Sequence, residues 1–173
     1  MSERMLLGNL ISFAASLALL AGCLMKEPKK VYAMQVTENL ILVLSSAVFG
    51  SWSGISTLLI STARNVLLVK GYFDRKMMVL FSVLVAVCGL WVNNRGLIGL
   101  LPVAATVILT ICNYYAKEIC AVKWSLIVNL LLWGIYFFAI RDVASGVTQM
   151  VVLAVTLGSV VRLRVAGDQT QGV

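Results

Sequence analysis

Long apolar stretches alternate with short polar breaks along the whole chain. Each stretch has about 17–21 residues, and a helix needs about 20 residues to cross roughly 30 Å of hydrocarbon in a bilayer. The break at residues 50–54, GSWSG, carries no charge and is the least clearly marked. The pattern predicts seven membrane-spanning helices, at residues 5–25, 31–50, 55–71, 77–93, 96–116, 121–140 and 143–163.

The composition indicates that lipid is the solvent of these segments. Hydrophobic residues make up 61% of the 173 residues and charged residues 12%, whereas soluble domains carry about 25% charged residues. The mean hydropathy is +0.98. Backbone groups inside lipid must be hydrogen-bonded internally, and the weak alternating pattern of barrel strands is missing. The sequence therefore predicts an all-α membrane protein.

Basic residues are concentrated in alternate loops. With seven spans, ten of them fall on one side, and only Arg4, Arg95 and Arg141 fall on the other. Such an excess marks the cytoplasmic side, so the N-terminus is predicted outside and the C-terminus in the cytoplasm. The net charge of +7 then reflects topology, and no nucleic-acid partner is predicted. The ten residues are Lys26, Lys29, Lys30, Lys70, Arg75, Lys76, Lys117, Lys123, Arg162 and Arg164.

Residues 19–23, LLAGC, resemble the cleavage site of a bacterial lipoprotein. In that interpretation residues 1–22 are removed and Cys23 carries a lipid. A secretory signal begins with a positive region, but Glu3 here offsets Arg4, and the lysines after Cys23 would have to be exported. We therefore favour a retained first helix, with Cys23 as a small apolar residue near its inner end.

The residue types that would indicate catalysis or a metal site are scarce. The chain has no histidine, and its four cysteines form no paired motif. A Ser-His-Asp triad and a Cys–His site are excluded, and no Gly-rich phosphate loop is present. The sequence predicts no catalytic residue, no metal, no cofactor and no enzymatic activity.

Three pairs of segments match at a nearly constant spacing. Gly8 and Gly99 are 91 positions apart, Asn39 and Asn129 are 90 apart, and Ser53-Gly54 matches a Ser-Gly pair 92 positions later. The order predicts two parallel three-helix repeats joined by a linker helix, a 3+1+3 arrangement. The predicted units are 1–71, 72–95 and 96–165, followed by a cytoplasmic tail at 166–173.

Polar residues form stripes on six of the seven predicted helices, and the helix at 77–93 has almost none. Ser and Thr often serve only to pack membrane helices together. One helix without a stripe among seven nevertheless favours a central polar cavity with a peripheral linker helix.

Three segments resemble the YgjV-type bacterial inner-membrane proteins: GLLPVAATVILTICNYYAKE at 99–118, ISTARNVLLVK at 60–70 and VVRLRV at 160–165. That family is similar in architecture to the SWEET, PQ-loop and PnuC-type vitamin transporters, so the resemblance implies a 3+1+3 fold in the bacterial inner membrane. Leu101-Pro102 and Arg64 are its most specific features. The chain departs from the pattern because Val103 follows Pro102 where a Pro-Gln pair would continue, and Ser61 stands where an Asn is expected.

These patterns predict a facilitator or carrier for a small polar, sugar- or vitamin-like solute, working by alternating access. Asn39, Asn65 and Asn129 are the candidates to hydrogen-bond the solute, and Trp133 and Tyr136 are the candidates to stack on a ring. The alternative is a non-transporting membrane binding or assembly protein of the same fold. The partners are therefore the lipid bilayer and a small polar solute, and the sequence leaves the oligomeric state open.

Two charged side chains, Glu38 and Arg64, fall well inside the predicted spans at a similar depth. Because an intramembrane charge is costly, we expect an ion pair or a shared polar site, with either a structural or an ion-coupling role. Pro102 removes a backbone donor from the fifth helix and is a candidate hinge, although proline is also well tolerated early in a helix.

Overall fold

The computed structural model describes residues 3–116 and 118–171, which form seven α-helices and no strand. Each helix begins and ends within about four residues of its predicted bounds, except that α7 continues to Gln171 and so includes most of the predicted tail. The helices are α1 (Glu3–Leu24), α2 (Pro28–Val48), α3 (Trp52–Lys70), α4 (Arg75–Trp91), α5 (Leu100–Tyr115), α6 (Ile119–Ala139) and α7 (Val143–Gln171).

Four helix ends are set by residues with well-known capping preferences. The α2 helix starts at Pro28, where proline's fixed φ and missing N–H suit the first helical position. Ser51 and Asp74 cap α3 and α4 by accepting hydrogen bonds from Gly54 N at 3.2 Å and Met77 N at 2.8 Å. Gly71 ends α3 with a φ of +78°, the left-handed conformation that glycine adopts without strain.

The helices differ in how well each could cross a bilayer. Among the described residues, α1, α2, α6 and the Val143–Arg162 part of α7 are long and apolar enough to do so, and α5 is apolar but shorter, with 16 residues. The α3 helix has 19 residues and buries Arg64 and Asn65, while α4 has 17 residues and opens with Arg75-Lys76. A multi-pass helical protein is therefore confirmed, and a count of seven spans stays a prediction.

Six helices form a closed ring, and the seventh lies beside it. Around the ring, each helix contacts the next one in the order α1, α2, α3, α5, α6 and α7, and α7 contacts α1. The α4 helix contacts α3 and α5, the two helices that it connects in the chain. We call the end of the ring with the turns at 49–51 and 140–142 the turn end, and the opposite end, with the loops at 25–27 and 71–74, the basic end.

The distribution of side chains is the reverse of that in a soluble protein. Large apolar residues such as Phe13, Leu44 and Leu131 are exposed on the outside. Polar residues such as Ser12, Thr57 and Thr110 are completely buried inside the ring. Because lipid tails are as apolar as leucine, this arrangement is stable only with hydrocarbon around the ring.

The α2–α3 and α6–α7 turns have the same backbone structure, 91 residues apart. Gly50 and Arg141 both have a φ of +66°. Gly50 N donates to Ala47 O, and Arg141 N donates to Phe138 O, which lies 91 positions after Ala47. The residues that follow each turn, Ser51 and Asp142, cap the next helix in the same way.

Candidate solute-binding cavity

A cavity of about 30 Å³ lies at the centre of the ring, large enough for roughly one or two water molecules. Every helix of the ring contributes to its lining, and α4 does not. The lining residues are Leu19 of α1; Gln35, Glu38, Asn39 and Leu42 of α2; Leu58, Ser61, Arg64 and Asn65 of α3; Leu109 of α5; Leu126, Asn129, Leu130 and Trp133 of α6; and Gln149 of α7.

The lining positions of α2 recur on α6. Each of the four α2 residues in the cavity wall has a counterpart exactly 91 positions later that also lines the cavity. Glu38 corresponds to Asn129, and Leu42 corresponds to Trp133. The two helices therefore present the same face to the cavity from different sides.

The chemistry of the wall differs between its two sides. The α2 and α3 side carries amide, hydroxyl, carboxyl and guanidinium groups, including Gln35, Asn39 and Ser61. The α5 and α6 side is formed by leucines and Trp133, with Asn129 as its one polar residue among those lining the cavity. The two sides of the cavity wall therefore differ in polarity.

The Arg64 guanidinium is 1% exposed and is held entirely by uncharged acceptors. Its Nε and Nη2 donate to Asn65 Oδ1 at 3.1 and 2.9 Å. Its Nη1 donates to Thr110 Oγ1 at 2.8 Å and to Thr106 O at 3.3 Å. Asn65 Nδ2 in turn donates to Gln35 Oε1 at 3.1 Å, so the cation is fixed between α3, α5 and α2.

Glu38 and Arg64 share the cavity but do not form the ion pair that the sequence suggested. Among the described residues, the single ion pair within 4.0 Å is Lys30–Glu27 at the protein surface. Glu38 is 6% exposed, and its carboxyl group interacts with the side chain of Gln149 of α7. Equal depth along two helices does not fix the direction of the side chains, so the two charges are held by different neighbours.

The predicted solute-binding residues are mostly, but not all, in this cavity. Asn39, Asn65, Asn129 and Trp133 line it. Within the described part of the chain, the buried Oδ1 of Asn129 has no hydrogen-bond partner, and the same is true of Oε1 of Gln149, which the sequence did not point to as a site residue. Unpartnered amide oxygens beside a cavity are the atoms that a hydrogen-bonding solute would satisfy.

Tyr136 has a different position from the one expected. It is fully buried and is not among the residues that line the cavity. Its ring meets Trp133 edge-on at 5.6 Å, and its hydroxyl group is hydrogen-bonded to Ser51. Residues three positions apart on a helix are about 60° apart around its axis, so Tyr136 points to α3 while Trp133 faces the cavity.

Pro102 is buried in the first turn of α5, after Leu100 and Leu101. The N–H groups at the first positions of a helix have no partner within that helix. Proline therefore removes no hydrogen bond here, and the physical reason for a hinge at Pro102 does not hold.

Hydrogen bonds close the turn end on the α1 and α7 side of the cavity. Ser12 Oγ donates to Asp142 Oδ2 at 2.7 Å and lies 2.6 Å from Ser45 Oγ. Ser16 Oγ donates to Thr148 Oγ1 at 2.7 Å. Burial raises the pKa of the Asp142 carboxyl group above its ordinary value, and the hydrogen bond from Ser12 opposes that rise.

An apolar cluster closes the basic end. Val31, Tyr32 and Val122 are at most 4% exposed and pack together between α2 and α6. Leu68 and Ile119 pack against them. The cavity therefore lies between a hydrogen-bonded layer at the turn end and an apolar layer at the basic end.

Comparison with known protein families gave one match. A model of the Imp-YgjV family, described as bacterial inner membrane proteins, matches residues 6–166. The chain belongs to this family. It is therefore a multi-pass protein of the bacterial inner membrane, as the resemblance of its segments implied. Neither the curated proteins nor the solved structures gave a match.

Proposed function

We propose that this Imp-YgjV protein carries a small polar solute across the inner membrane by alternating access. The observation that supports this proposal most strongly is the central cavity. It is lined by all six ring helices and contains the unpartnered oxygens of Asn129 and Gln149. Sites for transported solutes are typically built near the membrane midplane between helices of related repeats.

Two related halves, α1–α3 and α5–α7, support the proposal. The equal turns at Gly50 and Arg141 and the matching walls of α2 and α6 share the spacing of 91 residues. The contacts between the two halves correspond as well. The last helix of the first half, α3, contacts the first helix of the second half, α5, and in the same way α7 contacts α1. The spacing pairs Asn129 with Glu38, one position away from the Asn39 chosen from sequence alone. Rocking of one half against the other would open the cavity to each side in turn.

The solute class follows from the two sides of the wall. The amides of α2 and α3 suit a hydroxyl- or amide-rich edge, and Trp133 suits the face of a ring. A sugar or a heterocyclic vitamin combines these features. Ligand pockets for such molecules usually measure about 300–1,000 Å³, so the described state is closed and the halves must separate before binding.

The orientation proposed from the basic residues places the basic end in the cytoplasm. The turn end, with Asp142 and Ser51, then faces the periplasm. Glu38 is the group available for proton coupling, because its carboxyl group lies at the cavity and has no ion-pair partner within 4.0 Å in the described part of the chain.

The second candidate is a membrane binding or assembly protein that does not transport. The small cavity volume favours it, since about 30 Å³ admits water but no sugar. A protein of this kind would keep the hydrogen-bonded layer at Ser12 and Asp142 closed in every state.

Uptake into liposomes separates the two candidates. Purified protein is reconstituted and tested with labelled sugars, vitamins and nucleosides, and we expect saturable uptake of at least one class. Asn129→Ala should reduce that uptake at least tenfold, whereas Leu131→Ala, which alters a lipid-facing residue two positions away, should not. Absence of uptake across all three classes would favour the non-transporting candidate.

A further inference from the structure

A second cavity, of about 570 Å³, lies between α1, α6 and α7 at the basic end. It shares no lining residue with the central cavity. Its described lining combines three basic side chains with apolar ones and contains no acidic residue. The lining residues are Leu24, Lys26, Ile119, Lys123, Val155, Gly158, Ser159 and Arg162.

Lys123 is the buried cation of this pocket, with 3% of its surface exposed. Its Nζ donates to Cys23 O at 3.1 Å and to Ser159 Oγ. An ammonium group has three N–H donors, so one is left after these two bonds. No carboxylate of a described residue lies within 4.0 Å of Nζ. A buried cation without an anionic partner is costly, and an anion in the pocket would offset that cost.

Lys26 and Arg162 place two more positive charges at the same pocket. Both side chains are exposed, and neither has an ion-pair partner among the described residues. The acidic residue next to Lys26 is Glu27, which is bonded to Lys30 at 2.8 Å. The three cations are therefore available to one ligand.

The apolar part of the pocket continues onto the outer surface of the ring. Leu24 is 68% exposed and Val155 is 37% exposed. The pocket lies at the end of α1, where a spanning helix reaches the headgroup layer of the bilayer. Basic pockets between membrane helices on the cytoplasmic side are suited to anionic lipid headgroups.

We propose that this pocket binds a phosphate group, supplied by an anionic phospholipid whose acyl chains lie along Leu24 and Val155. The Lys123 ammonium holds the phosphate from inside, and Lys26 and Arg162 hold it from the surface. The site is separate from the central cavity, with which it shares no lining residue.

The test measures lipid binding to the full-length protein in detergent by native mass spectrometry. Phosphatidylglycerol and phosphatidylcholine are compared on the unaltered protein, on Lys26→Gln/Arg162→Gln and on the control Lys29→Gln/Lys70→Gln. The control removes the same charge from the same end of the protein, outside the pocket. Inorganic phosphate and glycerol 3-phosphate are added in a separate arm to distinguish a soluble source from a lipid.

We expect phosphatidylglycerol to bind more tightly than phosphatidylcholine, and the pocket variant to weaken phosphatidylglycerol about thirtyfold, as expected for two lost charges at a membrane surface. The control should retain the original affinity. Displacement by millimolar glycerol 3-phosphate would support the phosphate site but assign it to a soluble ligand. Equal binding of the two lipids, or equal loss in both variants, would overturn the proposal.

Discussion

Gly50 and Arg141 lie 91 residues apart and have the same left-handed φ of +66°. Each belongs to the turn that ends one ring helix and starts the next, and the backbone hydrogen bonds around them correspond. A non-glycine residue in this conformation is strained by about 1–2 kcal/mol. The turn at Arg141 is therefore strained, whereas the turn at Gly50 is not.

This difference in backbone strain predicts that substitutions at the two positions change the free energy of unfolding in opposite directions. Gly50→Ala should lower the free energy of unfolding by about 1 kcal/mol, because an added Cβ meets no atom within 4 Å and only the backbone conformation is penalised. Arg141→Gly should raise it by up to about 1 kcal/mol. Denaturant unfolding in detergent measures both, and a shift in the same direction for the two variants would contradict the equivalence of the turns.

Glu38 and Arg64 should contribute to stability independently. They line one cavity but have different partners, Gln149 for the carboxyl group and Asn65, Thr106 and Thr110 for the guanidinium. Residues that share a cavity couple weakly, so the double variant Glu38→Gln/Arg64→Gln should lose the sum of the two single losses within about 1 kcal/mol. Unfolding of the four proteins in a double-mutant cycle gives the coupling energy, and a coupling above about 1 kcal/mol would indicate a direct ion pair.

The Asp142 carboxyl group should make stability depend on pH. Its pKa is raised by burial in the folded protein, so the folded state binds a proton more tightly than the unfolded state. This contribution is fully present below the unfolded value near 4 and is lost as the pH rises through the folded-state pKa. Asp142→Asn should remove this part of the pH dependence while its side-chain oxygen still caps α7.

Asp74→Asn provides the matched control for that experiment. Asp74 caps α4 through Met77 N, as Asp142 caps α7 through Ser145 N, but it lies in an exposed loop. The slope of stability against pH should persist in Asp74→Asn. An unchanged slope in Asp142→Asn would rule out Asp142 as its source.

Tyr136 and Ser45 tie α6 and α2 to the starts of α3 and α7. Tyr136 is bonded to Ser51, and Ser45 Oγ lies 3.5 Å from Asp142 Oδ2, in positions that correspond at the spacing of 91 residues. Tyr136→Phe should loosen the turn end by the loss of one buried hydrogen bond, about 0.5–1.5 kcal/mol. Ser45→Ala should loosen it more, because Ser45 Oγ is also bonded to Ser12 Oγ at 2.6 Å and to Gly8 O at 3.1 Å. A cysteine at Asn39 should then react faster with a hydrophilic thiol reagent added from the turn end. Unchanged reactivity in both variants would exclude these bonds from the closure.

The apolar pattern could predict the helices, since a run of about 20 apolar residues has few other structures available in lipid. It also placed Asn39, Asn65, Asn129 and Trp133 near one cavity, because polar side chains in such helices point away from lipid. It could not predict that Tyr136 bonds Ser51 or that Arg64 bonds Thr110. Those contacts depend on the rotation of each helix about its axis, and a depth of 1.5 Å per residue contains no information on rotation. The sequence did not point to Asp142 as a site residue, because only the basic residues, including its neighbour Arg141, were used to assign the topology. An Asp directly before a helix is nevertheless a typical N-cap, and Asp142 has this position relative to Ser145.

Alternating access exposes Asn129 to both sides of the membrane in turn, and this exposure can be measured without knowing the solute. Asn129→Cys, in a chain whose four native cysteines are replaced, is treated with a small membrane-impermeant thiol reagent in vesicles of each orientation. Leu131→Cys serves as the lipid-facing control, since this side chain is 47% exposed on the outside of the same helix. If the protein works by alternating access, Asn129→Cys reacts from both sides and Leu131→Cys from neither. Reaction of Asn129→Cys from one side only, or from neither, would contradict it.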